Sequence, residues 1–211
     1  METHRKIFVP ANVLRDNAWR MAARIFQDGF YPDVIYIALR GGSSVGNPVS
    51  EFFKWVRAQR PELRRILFAA VAARSYTGLG QRDEVRVEGW TYDPAHLRAG
   101  DKVLLVDDIF DRGLTINHLV GKIMEHGIPR ADIKVAVHDY KIRRFQPPMD
   151  VTPDYWCVGH DLYDEDGGDD PWIHYLSHEL EGMTRAEMEE HLPPDVADLL
   201  LRLAIQTLSR S

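Results

Sequence analysis

Residues 103–115 read VLLVDDIFDRGLT, an apolar run that ends in carboxylates and leads toward a helix. Residues 103–106 fit a buried strand, because a short continuous apolar run is typical of strands in a sheet core. Unpaired carboxylates are costly to remove from water, so Asp107 and Asp108 at the end of such a strand indicate a ligand beyond its tip. That ligand is expected to carry hydroxyls, a phosphate or a metal ion.

The next residues, Arg112-Gly113-Leu114-Thr115, predict a turn that feeds a helix N-terminus. Free backbone N–H groups and the helix dipole favour an anion at such a terminus. Carboxylates beside an anion site indicate a sugar phosphate as the ligand.

The chain alternates between strand and helix patterns, which is typical of a parallel sheet covered by helices. No internal repeat or low-complexity linker forces a domain boundary, so the sequence predicts one α/β domain with a Rossmann-like parallel sheet flanked by helices. Helices are predicted at 12–29, from Val45 through Val56, at 114–126 and at 195–208, with a capping-box pattern at Thr184. Strands are predicted at 34–39, 65–73, 85–92 (an edge strand or hairpin arm), 103–106, 133–138 and 155–158.

Composition and charge argue against several classes of protein. The 211 residues include 45% hydrophobic residues, enough for a substantial core, and carry a net charge of −6, which argues against broad nucleic-acid binding. The single cysteine, Cys157, excludes an intrachain disulfide and is expected to be buried filler in an apolar strand. No run of about 18 apolar residues predicts a membrane span. We expect a soluble, cytoplasmic protein with neither nucleic-acid nor membrane partners.

Three predicted loops follow strands at the sheet edge where α/β proteins bind ligands. The first, Arg40-Gly41-Gly42, lets backbone amides approach an oxyanion closely, although an ordinary turn has the same composition. The second, residues 75–80, is either a mobile lid or a solvated hairpin tip. The third is the acidic segment that ends at Thr115.

Together these loops resemble the type I phosphoribosyltransferases and, within them, the 6-oxopurine branch. The segment 103–115 matches that family's phosphoribosyl-pyrophosphate motif, Leu39-Arg40-Gly41-Gly42 its pyrophosphate loop, and Ser75-Tyr76 its flexible catalytic loop. The resemblance covers roughly residues 10–180. One position departs from it, because Arg112 stands where the family usually has Thr, so the geometry around the 5′-phosphate is expected to differ.

The resemblance implies Mg²⁺-dependent transfer of ribose 5-phosphate from phosphoribosyl pyrophosphate to hypoxanthine, guanine or xanthine. Asp107 and Asp108 would hold the ribose hydroxyls directly or through Mg²⁺, and Asp111 would be the general base. The 5′-phosphate would lie on the turn formed by Arg112, Gly113, Leu114 and Thr115. The pyrophosphate would be held by Arg40, Gly41 and Gly42, and Ser75 and Tyr76 would close over the site.

For the base pocket, the resemblance implies that Lys141 donates to the purine 6-oxygen. An aromatic side chain should stack on the base, and the candidates are Tyr155, Trp156 and Trp172. We favour Trp172, with Ile173 reading the base through its backbone. The microbial relatives continue with a Pro-Trp-acid sequence, whereas this chain has Tyr175-Leu176-Ser177-His178.

We predict one phosphoribosyltransferase domain over 1–211, with a hood that holds the base at about 141–180 and a helical tail at 184–211 that the resemblance leaves unexplained. The resemblance implies a homodimer or homotetramer. The acidic stretch 161–170 fits no EF-hand register and is interpreted as a solvated loop. His174 and His178 have the spacing of zinc ligands on a helix, but the glutamate of that motif is replaced by Tyr175. Two alternatives stay open: a noncatalytic sensor of phosphoribosyl pyrophosphate or a nucleotide, and an enzyme for a non-purine base.

Overall fold

The computed structural model describes residues 5–76, 84–163 and 170–208. The strands and α-helices of this part of the chain follow one another in the order β1 (Lys6–Val9), α1 (Ala11–Gln27), β2 (Val34–Leu39), α2 (Ser43–Gln59), β3 (Leu67–Tyr76), β4 (Glu84–Trp90), β5 (Val103–Phe110), α3 (Leu114–Glu125), β6 (Ile133–Arg143), β7 (Tyr155–Leu162), β8 (Trp172–Tyr175), α4 (Arg185–His191) and α5 (Pro194–Leu208).

The central sheet has six strands in the order β4-β3-β2-β5-β6-β7. All neighbours in it are parallel except β4, which pairs antiparallel with β3 at one edge. Strands β1 and β8 form a separate parallel pair. The predicted fold class, a mostly parallel sheet flanked by helices, is confirmed. Strand β1 was not predicted, because its four residues are too few to give a periodic pattern.

Helices cover both faces of the sheet. Alternate residues of β5 point to opposite faces, so Leu104 packs with α1 and α2 while Leu105 packs with α3. Helix α1 buries one stripe of apolar residues at helical spacing, namely Leu14, Ala18, Met21, Ala22 and Ile25. In this arrangement of a sheet between two layers of helices, the carboxyl ends of β2, β5 and β6 lie at one edge, where the ligand site is expected.

Several strands extend further than their apolar runs predict. Strand β5 continues to Phe110, so Asp107 and Asp108 lie inside the ladder opposite β6 rather than beyond its end. Strand β6 likewise continues to Arg143, and Lys141 lies within it, paired with His160 of β7. The prediction stopped where polar residues begin, but a polar residue keeps its ladder hydrogen bonds wherever a neighbouring strand accompanies it.

Other predicted boundaries changed by a few residues or more. Strand β3 runs through Ser75 and Tyr76, so the lid predicted at 75–80 begins with two strand residues, and residues 77–80 lie outside the described part of the chain. Strand β7 ends at Leu162, which places Asp161 in a strand and not in a loop. The capping box at Thr184 is confirmed at the start of α4. Among the described helices, none is both long and apolar enough to cross a bilayer.

Candidate active site

The two glycines after β2 lie directly against the two acids of β5. A Cβ atom added at Gly41 would overlap the carboxylate of Asp108, and one at Gly42 would overlap the Ala38 carbonyl oxygen and lie 3.0 Å from the Asp107 Cα. Only glycine therefore allows this loop to approach β5 so closely. The loop leads into the N-terminus of α2, where the backbone N–H groups of Ser43 and Ser44 donate to the carbonyl oxygens of Arg40 and Gly41 at 3.1 Å.

Asp107 and Asp108 form a pair of adjacent acids whose oxygens accept hydrogen bonds from nearby backbone N–H groups. The backbone N–H of Asp108 donates to Asp107 Oδ1 at 2.9 Å, and that of Ile109 donates to Asp108 Oδ1 at 2.9 Å. Burial and the neighbouring charge of Asp108 raise the pKa of Asp107 well above its usual range. A cation or a hydroxyl-bearing ligand at this pair would stabilise the ionised form.

A histidine that the sequence analysis assigned only to an improbable zinc motif contacts this acid pair. His178 Nε2 lies 3.3 Å from Asp108 Oδ2, and its Nδ1 lies 3.0 Å from Ser44 Oγ in the first turn of α2. The imidazole stacks on Tyr175, whose hydroxyl donates to the Asp108 carbonyl oxygen at 3.2 Å. His174 lies in β8, so the two histidines do not share a helix face as the zinc interpretation requires.

The predicted phosphate turn has the required conformation. Gly113 has φ of +79° and caps α3, and the ring of Phe110 occupies the place where a Cβ atom would lie. Leu114 begins the helix, so the backbone N–H groups of its first turn, including that of Thr115, remain available for an anion. The side chain of Arg112 is exposed beside this turn.

Four charged side chains meet where the end of β6 lies beside the loop after β5 and the start of β8. Arg143 Nη2 donates to Asp111 Oδ1 at 2.5 Å and to Asp170 Oδ2 at 2.9 Å. Lys141 Nζ lies 2.7 Å from Asp170 Oδ1 and 3.6 Å from Asp111 Oδ1. Lys141 and Arg143 are only 8% and 13% exposed, whereas Asp111 is 46% exposed. Asp111 is therefore the member of this cluster that a ligand can reach most easily.

A cleft of about 690 Å³ opens beside these charges. Its lining includes the loop after β5 and the segment that follows β6, with Asp111, Lys141 and Arg143 among the lining residues. This volume is within the range of small-molecule sites, which is about 300–1,000 Å³. The cleft is large enough for a heterocyclic base.

Besides Lys141, the residues predicted to contact the base lie in two different strands, β7 and β8. Trp172 is 55% exposed and Ile173 is buried in the core, and both lie in β8. Tyr155 begins β7 opposite Ala136, five positions before Lys141 on β6, which is about 16 Å at strand spacing. The structure therefore does not bring Tyr155, which is 8% exposed, together with Lys141.

The remaining predicted residues are partly described. Arg40 is exposed at the end of β2, and its carbonyl oxygen accepts from Ser43 Oγ at 2.7 Å. The side chains of Ser75 and Tyr76 lie outside the described part of the structure, as do residues 164–169 of the acidic stretch. At the start of that stretch, Asp161 pairs with Arg144 at 2.7 Å. Burial raises the pKa of Cys157 to about 12, which supports the interpretation of its thiol as inert filler.

A buried polar network beneath the site was not predicted. Asp139 of β6 accepts from His138 Nδ1 at 2.6 Å, from His160 Nε2 at 2.7 Å and from the Tyr175 hydroxyl at 2.7 Å. Burial alone would raise the pKa of Asp139, but these hydrogen bonds outweigh it and lower the pKa to about 2. Through Tyr175, the network fixes β8 to the strand that carries the acid pair.

Comparisons with known proteins agree with this geometry. A family model described as a phosphoribosyl transferase domain matches residues 11–155. The hypoxanthine-guanine phosphoribosyltransferase of Canis lupus familiaris is 24% identical over 165 residues, which are 78% of this chain and 72% of that protein. That of Cricetulus griseus is 23% identical over 166 residues, with the same coverage of 78% and 72%.

Solved structures share the fold at low sequence identity. A purine phosphoribosyltransferase from Pyrococcus horikoshii Ot3 superimposes with a TM-score of 0.61 at 19% identity, covering 85% of this chain and 98% of that chain. A hypothetical protein from Neisseria gonorrhoeae with bound ppGpp superimposes with a TM-score of 0.64 at 20% identity, covering 97% of this chain and 99% of that one.

Proposed function

The chain belongs to the phosphoribosyl transferase domain family, and from this premise we propose that it transfers ribose 5-phosphate from phosphoribosyl pyrophosphate to a purine base. The acceptor is hypoxanthine, guanine or xanthine, and the products are a nucleoside monophosphate and pyrophosphate. We assign the whole chain to one domain and place it in the cytoplasm as a homodimer or homotetramer. The lone Cys157 fits a reducing compartment.

The observation that carries the proposal is the contact between the glycine loop and the acid pair. Gly41 lies against the Asp108 carboxylate, so an anion held by the loop would lie beside the groups that bind the ribose. Gly113, with φ of +79°, opens a second anion site at the start of α3. Phosphoribosyl pyrophosphate has a 5′-phosphate at one end of its ribose and a pyrophosphate at the other, and this arrangement of two anion sites around two carboxylates matches it.

The charges suit the reaction. Bond breaking at the sugar produces a cationic, oxocarbenium-like carbon and an anionic leaving group, so negative charge near the ribose and positive charge near the pyrophosphate both lower the barrier. Asp107 and Asp108 supply the negative charge. Arg40 and the amides of Gly41 and Gly42 hold the leaving group. Closure by Ser75 and Tyr76 would exclude water and limit hydrolysis of the activated sugar.

The acid pair also fits a magnesium ion. Mg²⁺ prefers oxygen ligands, keeps several waters and needs only one or two carboxylates from a protein, and Asp107 and Asp108 meet this requirement. The pKa of Asp107 is raised first by burial and then by the charge of Asp108, and a divalent cation would offset both effects by stabilising the ionised carboxylate. The bound ion would supply positive charge to the pyrophosphate oxygens as they leave.

On the base side, Lys141 is the donor to the purine 6-oxygen, and Asp111 accepts a proton from the imidazole part of a neutral base. Trp172 and the backbone of Ile173 complete the pocket from β8. Asp111 is reached from the cleft, and Lys141 is held by Asp170 with its ammonium 2.7 Å from the carboxylate. These contacts support a site in which the acid pair binds the sugar donor and the residues around Lys141 bind the base.

A base panel tests this proposal. The protein is incubated with phosphoribosyl pyrophosphate, Mg²⁺ and one of hypoxanthine, guanine, xanthine, adenine, uracil or orotate, and release of pyrophosphate is followed. Turnover with a 6-oxopurine is expected. Turnover only with a pyrimidine would overturn the purine assignment, and tight binding of the sugar donor without turnover of any base would overturn the enzymatic one.

A noncatalytic nucleotide sensor on the same scaffold is the second candidate. The observation that favours it is the 2.5 Å contact between Arg143 and Asp111, because this contact occupies the carboxylate oxygen that would otherwise face the base. The neighbour with bound ppGpp supplies a ligand to try. Binding of ppGpp by calorimetry together with an inactive base panel would favour this candidate over the enzyme.

A further inference from the structure

The four-charge cluster at the base pocket is more elaborate than holding a neutral purine requires. One lysine is enough to donate to a 6-oxygen, yet β6 places a second cation, Arg143, two residues further along the same strand. Buried charges are stable only when they are paired and hydrogen-bonded, and here the two cations share the carboxylates of Asp111 and Asp170. The pairing accounts for the stability of the cluster but not for its position at a ligand cleft.

Two features indicate that the cluster is incomplete without a ligand. The Arg143 Nε atom is buried, and no residue in the described ranges accepts a hydrogen bond from it. Native proteins rarely leave such donors unpaired, because a donor removed from water without a new acceptor destabilises the fold. In addition, Asp111, which takes the shortest contact from Arg143, is the most exposed member and lines the cleft. A ligand oxyanion can therefore take over part of what Asp111 provides to Arg143.

Arg143 stays protonated in this cluster, so its guanidinium can bind such an anion. Burial alone would lower the pKa of this guanidinium, but Asp111 and Asp170 outweigh it and raise the pKa further. A guanidinium has five donors in a planar fork, and the two contacts to carboxylates engage only its Nη2 nitrogen. Donors remain for a second planar, anionic partner.

We propose that Arg143 is a specificity residue that selects an acidic acceptor, a dioxopurine such as xanthine bound as its anion, over neutral 6-oxopurines. The inference rests on the proposed transferase function and names its substrate class. An oxyanion of the base engages Arg143 beside Lys141, which releases Asp111 from its strongest contact. The ring nitrogen of the base anion then bonds to the sugar carbon, and pyrophosphate leaves with the electron pair of the broken C–O bond. The transferred base becomes neutral, so no proton has to be removed from it.

The test compares xanthine with hypoxanthine and guanine in the native protein and in three variants. Arg143→Gln removes the charge, Arg143→Lys keeps the charge without the fork, and Arg60→Gln removes one charge from an exposed arginine that pairs with Glu62, far from the site. If xanthine forms one additional hydrogen bond between charged groups, the energy of that bond corresponds to a preference of about ten- to a hundredfold in kcat/KM. We expect Arg143→Gln to abolish this preference, Arg143→Lys to restore part of it and Arg60→Gln to leave it unchanged. For the native protein, kcat/KM for xanthine should rise as pH passes through the ionisation of that base, and kcat/KM for hypoxanthine should stay flat.

Two results would overturn the inference: a native preference for hypoxanthine or guanine, or an equal effect of Arg143→Gln on all three bases. If no base turns over, the proposed function fails, and calorimetry with xanthosine and inosine monophosphates then decides the specificity on its own. Tighter binding of xanthosine monophosphate that depends on Arg143 supports the inference. Equal affinity of the two nucleotides contradicts it.

Discussion

Replacing Gly41 by alanine is the most direct test of the proposed donor site. The Cβ atom of an alanine would lie 2.8 Å from Asp108 Oδ1 and closer still to Oδ2. Carbon atoms need about 3.5 Å from a non-bonded neighbour, so the carboxylate must withdraw by about 1 Å or more. That displacement removes at least one charged hydrogen bond to the ribose, worth about 1.5–3 kcal/mol. Affinity for phosphoribosyl pyrophosphate should fall about ten- to a hundredfold.

The assay is calorimetric titration of the donor in the presence of Mg²⁺, together with the free energy of unfolding in urea. Gly121→Ala is the matched control, since a Cβ atom added at this position in α3 meets nothing within 4 Å. This control should be more stable by about 0.5–1 kcal/mol, because glycine is a poor helix former, and its donor affinity should be unchanged.

A double-mutant cycle tests whether Gly41→Ala lowers donor affinity by displacing Asp108. If the alanine at position 41 acts by displacing Asp108, then Gly41→Ala adds little in a protein that already carries Asp108→Ala. Additive losses in donor affinity would refute this reasoning, since they would mean that the alanine acts on the loop itself. Native donor affinity in a folded Gly41→Ala protein would refute the whole assignment of Asp108 to the ribose.

Three further predictions concern other parts of the site. Asp111→Asn should lower turnover of the neutral base hypoxanthine about a hundredfold or more while donor affinity stays within about twofold, because its assigned role is toward the base; a collapse of donor binding with unchanged saturated turnover would contradict that role. The pKa of Asp139 is about 2 in the folded protein and 3.8 ordinarily, so its stabilising contribution is present above pH 3.8 and is lost as pH falls toward 2. The difference corresponds to about 2 kcal/mol, since one unit is worth about 1.4 kcal/mol. Urea unfolding from pH 5 to about pH 2 should show this loss in the native protein and not in Asp139→Asn, and parallel curves would refute it. Tyr76→Ala should leave the unfolding free energy unchanged and slow the transfer step, and unaltered kinetics would make the segment after β3 an ordinary hairpin.

The donor half of the site could be predicted from the sequence because its chemistry is local. The acids, the glycine turn and the helix start all lie within residues 103–115, and the glycine pair directly follows an apolar strand. Gly113 needs its positive φ for reasons contained in its own turn, and a glycine in that position already indicates such a conformation. Residues that act together and lie close together in the chain can be recognised in a single sequence.

The base half could not be predicted in the same way, because its contacts join residues far apart in the chain. Arg143 and Asp170 are 27 positions apart, and Asp139 and His160 are 21 apart. Their meeting depends on how far β6 and β7 run together, and the apolar pattern ended several residues before those strands do. His178 is notable in the sequence for its spacing from His174, but no local pattern indicates that it lies beside Asp108.

This division has a consequence for how the two halves of the site can vary. The proposed donor half relies on backbone atoms and on two glycines where an added Cβ would overlap Asp108 or the Ala38 carbonyl oxygen, so few side chains are tolerated there. The base half relies on side-chain charges at the end of β6 and on Asp170, which can be exchanged as pairs without moving the backbone of β5. Paired changes at Arg143 and Asp170 should therefore alter the base that is used while leaving donor affinity intact. In the proposed function, the choice of acceptor is therefore assigned to the end of β6, and the binding of phosphoribosyl pyrophosphate is assigned to the turn that follows β5.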